Sequence, residues 1–147
     1  MIFKRQLRFR RLLALGLILL PLAACRSQSS TTQPEAPEAE AEARTEFTTR
    51  IENFFEYEPL KAGKPSQFLI HLTDLTDGTP VEKAEVTLTA QAKNGAAVER
   101  ITARIGKVTG IYVADVRLAQ AGAYDIEFRV KNAKLDERMP LTDFKVE

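Results

Sequence analysis

The sequence predicts an all-β chain: one antiparallel sandwich of about seven strands behind an N-terminal leader and tether. Three observations predict it. Apolar and polar residues alternate with a period of two in several short runs, as strands buried on one face do. Turn-forming clusters separate the runs: Ala62-Gly63-Lys64-Pro65, Asp77-Gly78-Thr79-Pro80, Lys93-Asn94-Gly95, Ala121-Gly122 and Lys131-Asn132. Finally, Ala119-Gln120-Ala121-Gly122-Ala123-Tyr124 has the form of a tyrosine corner. There a Tyr at the start of a strand bonds the backbone a few residues upstream. Tyr124 and Gly122 are therefore expected to be structural.

The elements follow in order. Residues 46–57 form the first strand, with Phe55 and Tyr57 on one face and Phe54 on the other. Residues 66–73 form the second: Phe68, Ile70 and Leu72 point one way, Gln67, Leu69 and His71 the other. Residues 84–92 alternate Val86, Leu88 and Ala90 with Glu85, Thr87 and Thr89. Asn94-Gly95 then suits a tight hairpin, since both residues tolerate positive φ, and 97–104 return. Residues 111–118 alternate Tyr112, Ala114, Val116 and Leu118 with Val113, Asp115 and Arg117. The most regular strand, 123–131, alternates Tyr124, Ile126, Phe128 and Val130 with charged residues, and 141–146 close the domain. Ile126 stands two after the corner Tyr, where antibody domains carry a Cys. The chain has one Cys and no Trp. The expectation is a disulfide-free immunoglobulin-like sandwich over residues 45–147.

The chain divides before that domain. Residues 1–24 carry Lys4, Arg5, Arg8, Arg10 and Arg11 and no acid, followed by the apolar run LLALGLILL over 12–20. A basic start, a short apolar run and small residues before a cleavage point define a secretory signal. A helix over 12–24 would span ~20 Å, short of the ~30 Å hydrocarbon core. Leu22-Ala23-Ala24-Cys25 resembles the bacterial lipoprotein box. That resemblance implies cleavage before Cys25 and acylation of its thiol and new amine, which would hold the chain on a membrane. Arg26 stands where enteric lipoproteins kept at the inner membrane carry Asp, so the resemblance favours the outer membrane, facing the periplasm. Residues 26–44, RSQSSTTQPEAPEAEAEAR, contain no aromatic and no β-branched aliphatic residue. Such a stretch cannot offset its ordering entropy by burial. Residues 25–44 are therefore expected to be a tether.

Charge and chemistry narrow the function. The chain carries 21 Lys+Arg and 20 Asp+Glu, net +1. The five leader cations leave the rest net acidic, which disfavours nucleic acid as a partner. One Cys excludes an internal disulfide and one His excludes a multi-His zinc centre. No Gly-rich phosphate loop appears. A Ser66–His71–Asp74 reading lacks a nucleophile elbow. The reading is non-enzymatic, with no catalytic residues and no cofactor. His71 is expected at a strand surface or sheet edge, bonded to a neighbour such as Thr73. With Asp74 it is the one candidate metal pair, an incomplete first shell. Partner-binding candidates are Phe54, His71, Thr73 and Asp74, with the loop over 73–81.

A family resemblance supplies the role. Phe55-Glu56-Tyr57-Glu58-Pro59-Leu60, Ala62-Gly63-Lys64-Pro65-Ser66, Phe68, His71-Leu72-Thr73-Asp74-Leu75, Gly110-Ile111-Tyr112 and the Ala119–Tyr124 turn carry it. Over about residues 54–146 the chain resembles a β-sandwich module at the N-terminus of some periplasmic adaptors of heavy-metal efflux pumps of the resistance-nodulation-division class. It is similar also to small periplasmic β-sandwich domains linked to copper handling and oxidase assembly. Those adaptors add a lipoyl domain, a helical hairpin and a barrel, which these 147 residues do not contain. The resemblance implies a lipid-anchored accessory module that binds a protein partner in an efflux or other envelope assembly. The alternatives are a direct periplasmic metal binder or chaperone, and a general structural lipoprotein of the envelope.

Overall fold

The computed structural model describes residues 40–95 and 98–147. The leader, Cys25 and the tether up to residue 39 lie outside the described residues. The described chain is all β, in two antiparallel sheets. Its strands are β1 (Glu42–Phe47), β2 (Ile51–Tyr57), β3 (Pro65–Asp74), β4 (Thr79–Pro80), β5 (Glu85–Ala92), β6 (Val98–Thr102), β7 (Arg104–Ile105), β8 (Ile111–Arg117), β9 (Gly122–Lys131) and β10 (Asp136–Val146). The first sheet runs β1-β2-β3-β8-β7, with β4 paired to β3, and the second runs β10-β9-β5-β6. In immunoglobulin lettering, β2, β3, β8 and β7 take the A, B, E and D places, and β10, β9, β5 and β6 the G, F, C and C′ places. The predicted sandwich is present, with the extra strand β1 outside the A place.

Alternation fixes the core. Phe55, Phe68, Ile70 and Val116 of the first sheet and Val86, Leu88, Ile126 and Phe128 of the second are fully buried. Phe55, Tyr57, Phe68, Phe128 and Phe144 form an aromatic cluster; the Tyr57 and Phe68 centroids lie 4.7 Å apart and those of Phe55 and Phe128 4.9 Å. Offset and tilted rings at these spacings add to the area they bury.

The tyrosine corner forms: the Tyr124 hydroxyl donates to the Gln120 carbonyl at 3.0 Å. Gly122, at φ 143°, opens β9 in a conformation that L side chains rarely adopt. A second tyrosine latch was not legible. The buried Tyr112 hydroxyl donates to the Val81 carbonyl at 2.8 Å and accepts from the Ala84 N–H at 3.0 Å. Gly110 backs this corner at φ 79°; a Cβ there would stand 2.6 Å from the Pro80 Cβ.

Five expectations are corrected. Residues 46–57 are not one strand but the hairpin of β1 and β2. The turn is made by a hydroxyl: Thr48 Oγ1 accepts from the Arg50 and Ile51 N–H groups, each at 3.0 Å. Thr48-Thr49-Arg50 has no Gly, Pro or Asn to announce it. The tether, expected to reach residue 44, gives way to β1 at Glu42. Tyr57 donates to Glu42 at 2.6 Å and the Arg44 guanidinium lies 4.8 Å from the Phe144 ring centroid. Residues 97–104 divide at Ala103, whose N–H bonds the Val86 carbonyl, so that β6 stays in one sheet and β7 crosses to the other. Of the Asn94-Gly95 pair only Gly95 takes positive φ, at 77°, and its N–H bonds the Ala92 carbonyl. The last strand also starts earlier than expected, at Asp136, with a bulge between Leu141 and Phe144.

Candidate functional site

Three connections meet at one end of the sandwich: the turn from β3 to β4, the segment from β4 to β5, and the loop from β9 to β10. Between them lies a cleft of about 500 Å³, bordered by Asp77, Pro80, Glu82, Lys83, Lys134 and Leu135 among others. These are the B–C and F–G ends of an immunoglobulin-like domain, where variable domains carry binding loops.

The cleft floor is a fixed polar lattice. Asp74 ends β3 on its inner face and is buried. It accepts from Thr76 Oγ1 at 2.7 Å, Thr76 N–H at 3.0 Å, and Arg50 Nη2 and Nε at 3.2 and 3.3 Å. The Thr76 hydroxyl first, then the Arg50 guanidinium, hold this carboxyl well below the usual carboxylate range. Arg50 also reaches the Lys134 carbonyl at 3.4 Å, tying the hairpin of β1 and β2 to the far loop. Asp77 repeats the motif with Thr79, whose hydroxyl and N–H lower its pKa. Asn132 accepts from the Lys134 and Leu135 N–H groups and donates to the Glu82 carbonyl, so both walls share one amide. Lys83 sits at φ 50°, held there between Val81 and Ala84 by the Tyr112 latch. The rim carries both signs: Asp77 and Glu82 against Lys83 and Lys134. A mixed-charge rim of this kind offers discrimination by charge pattern as well as by shape.

The predicted site residues separate. On β3, His71 and Thr73 point outward and Asp74 inward. His71 and Asp74 therefore lie on opposite faces of one sheet, and the metal pair is corrected: they cannot share an ion. Among the described residues no group of three or more His, Cys, Asp or Glu could hold a metal. Asp74, expected as a partner-contact residue, lies on the floor of the cleft with its oxygens engaged within the domain. His71 is not at an edge, since β3 lies between β2 and β8. It packs on Phe54, directly opposite on β2, with ring centroids 5.4 Å apart, and its Nε2 makes no hydrogen bond to a described residue. Phe54, His71 and Thr73 thus share the outer face of the first sheet, with the half-buried Leu69, Ile111 and Val113. Cys25 lies outside the described residues.

Sequence reasoning placed the β3–β4 turn in the site and missed the other wall. Asn132 was read only as a turn residue, and Glu82, Lys83 and Lys134 carried no signal. The available clue was the repeated Asp-x-Thr spacing at Asp74 and Asp77, which favours side chain to backbone turns. No family model, curated protein or solved structure matches this chain.

Proposed function

We propose that the chain is a lipid-anchored, non-enzymatic binding module of the bacterial envelope, seated through Cys25 on the outer membrane and facing the periplasm. Its partner is a protein of a heavy-metal or cation efflux assembly. The loop-end cleft carries the reading: three connections hold a rigid, mixed-charge concavity of about 500 Å³ at one end of the domain. A cleft of that size accepts a charged loop of a protein partner, and rim charges set the rate and specificity of encounter. The lipobox and acidic stretch support the location. The resemblance over residues 54–146 supports the efflux context.

The test is affinity capture of the lipidated chain after mild crosslinking in living cells, read by mass spectrometry. An efflux adaptor, pump or outer channel should be recovered. It should be lost when the rim is reversed by Glu82→Lys with Lys134→Glu, both exposed and outside the buried lattice. Recovery of only peptidoglycan-linked or outer-membrane assembly proteins would replace this reading with the structural-lipoprotein one.

A further inference from the structure

Apart from the two-residue β4, four strands border the two sheets, and three are poorly made for further pairing. On β10, Pro140 has no N–H, and the bulge between Leu141 and Phe144 with Asp143 at φ 69° breaks the ladder. Strand β7 has only two residues. Strand β6 reads VERIT; a two-fold pairing at its centre would set Arg100 opposite its own copy. Pro, bulges, shortness and like charges are the usual protections of an edge.

Strand β1 has none of these. Among the described residues it has β2 on one side and no strand on the other. The Thr48 N–H bonds the Ile51 carbonyl at 2.9 Å, in register with the ladder of β1 and β2. Antiparallel pairs alternate between hydrogen-bonded and non-bonded residues. Glu42, Arg44 and Glu46 therefore bond inward to β2, and Ala43, Thr45 and Phe47 offer N–H and C=O outward.

We propose that β1 pairs antiparallel with β1 of a second copy of this chain, about a two-fold axis at Thr45. The sequence EARTEF is complementary to itself in that register. Thr45 meets Thr45, and Arg44 meets the Glu46 of the other copy. Opposite charges across a strand pair stabilise it. Arg44 already pairs with Glu46 of its own chain at 2.6 Å, so the four side chains form an alternating ring. On the other face Phe47, 62% exposed, lies over the exposed Ala43 of the second copy. A large ring over a small residue fills that face without a clash. The outcome is a closed, isologous dimer whose first sheets run together.

The protein expressed from its full sequence, with the leader left for the cell to process, carries the test. In the paired register the two Thr45 Cα atoms stand ~5.5 Å apart, within the ~4.4–6.8 Å that a disulfide spans. Thr45→Cys, oxidised with diamide in membranes, should give a covalent product of twice the chain mass. Its yield should exceed by tenfold or more that of the natural chain, which reports any contribution of Cys25, and that of the exposed Lys107→Cys. On the Thr45→Cys background, Arg44→Glu alone or Glu46→Arg alone should lose the product. Co-expression of the two should restore it between unlike chains. Each variant has lost its internal Arg44–Glu46 pair, so only pairing between chains explains the rescue. A Thr45→Cys yield no greater than that of Lys107→Cys overturns the proposal, as does failure of the rescue. An adduct of any other mass overturns it in favour of a strand from a different protein.

Discussion

The two outer faces of the sandwich differ at their centres. The second sheet turns outward Glu85, Thr87, Thr89, Glu127, Arg129 and Lys131, and its charges close on one another: Arg129 meets Asp136 through two hydrogen bonds at 2.7 and 2.8 Å. The first sheet turns outward a central patch of Phe54, Leu69, His71, Ile111 and Val113, all half-buried, with Glu52, Glu56, Gln67, Asp115 and Arg117 around it. The inner faces are alike, so the core does not demand this difference. A strand in a two-layer sandwich needs only one apolar face. The second sheet meets that need and stops. The first goes beyond it, and its outer side chains shelter one another without a covering layer among the described residues.

The comparison assumes one shared core, and its largest test lies there. Phe55→Ala and Phe128→Ala should each cost about 3–5 kcal/mol in urea unfolding. Because the rings touch, the double variant should cost less than the two together. Additive costs would mean that the inner faces are not one unit. Next comes the latch that fixes one sheet to the cleft. Tyr112→Phe leaves the Ala84 N–H and Val81 carbonyl without their buried partner, and should cost about 1–3 kcal/mol. Tyr124→Phe, whose hydroxyl serves one carbonyl, should cost about 1 kcal/mol.

The outer faces are compared directly by Leu69→Ala and Thr89→Ala. The first should cost about 1–2 kcal/mol from lost apolar burial, the second within about 0.5 kcal/mol. Equal costs would mean that the two outer faces shelter their side chains alike. Acid sharpens it from another side. Asp74 has its folded pKa depressed, so its contribution is fully present above the ordinary carboxylate value of ~3.9 and fades as pH falls below it toward the folded value. Asp74→Asn should flatten the loss of stability over that acid range, followed by unfolding at stepped pH. His71→Ala should leave it unchanged. The smallest effect belongs to the exposed pair on the charged face: Arg129→Gln should barely change stability, and less still in high salt.

Much of this was legible beforehand. Period-two alternation marked β5, β8 and β9 to within a residue, because charged outer residues there make the two faces unlike. Tyr124 and Gly122 announced their corner by local sequence alone. The failures share a cause. The break at Thr48 depends on a hydroxyl that finds two N–H groups only after the hairpin has formed. The crossing at Ala103 depends on which sheet offers a carbonyl. The separation of His71 from Asp74 was available from parity on one strand. The cleft was not, because Lys83 and Asn132 are far apart in the chain and meet through Glu82 and the Tyr112 latch.

The hairpin of β1 and β2 has a mechanical meaning as well. Its open end is at Glu42 and Tyr57, and its closed end is the turn at Thr48. A pull entering through residue 41 therefore loads the ladder at its open end and parts it one pair at a time. Tyr57 to Glu42 yields first and the Arg44 clasp on Phe144 next. While β1 peels toward the turn, the tension passed to the two layers behind it cannot exceed the force that parts one pair. Strand β1 thus acts as a strain relief, lengthening under load while the cleft keeps its shape.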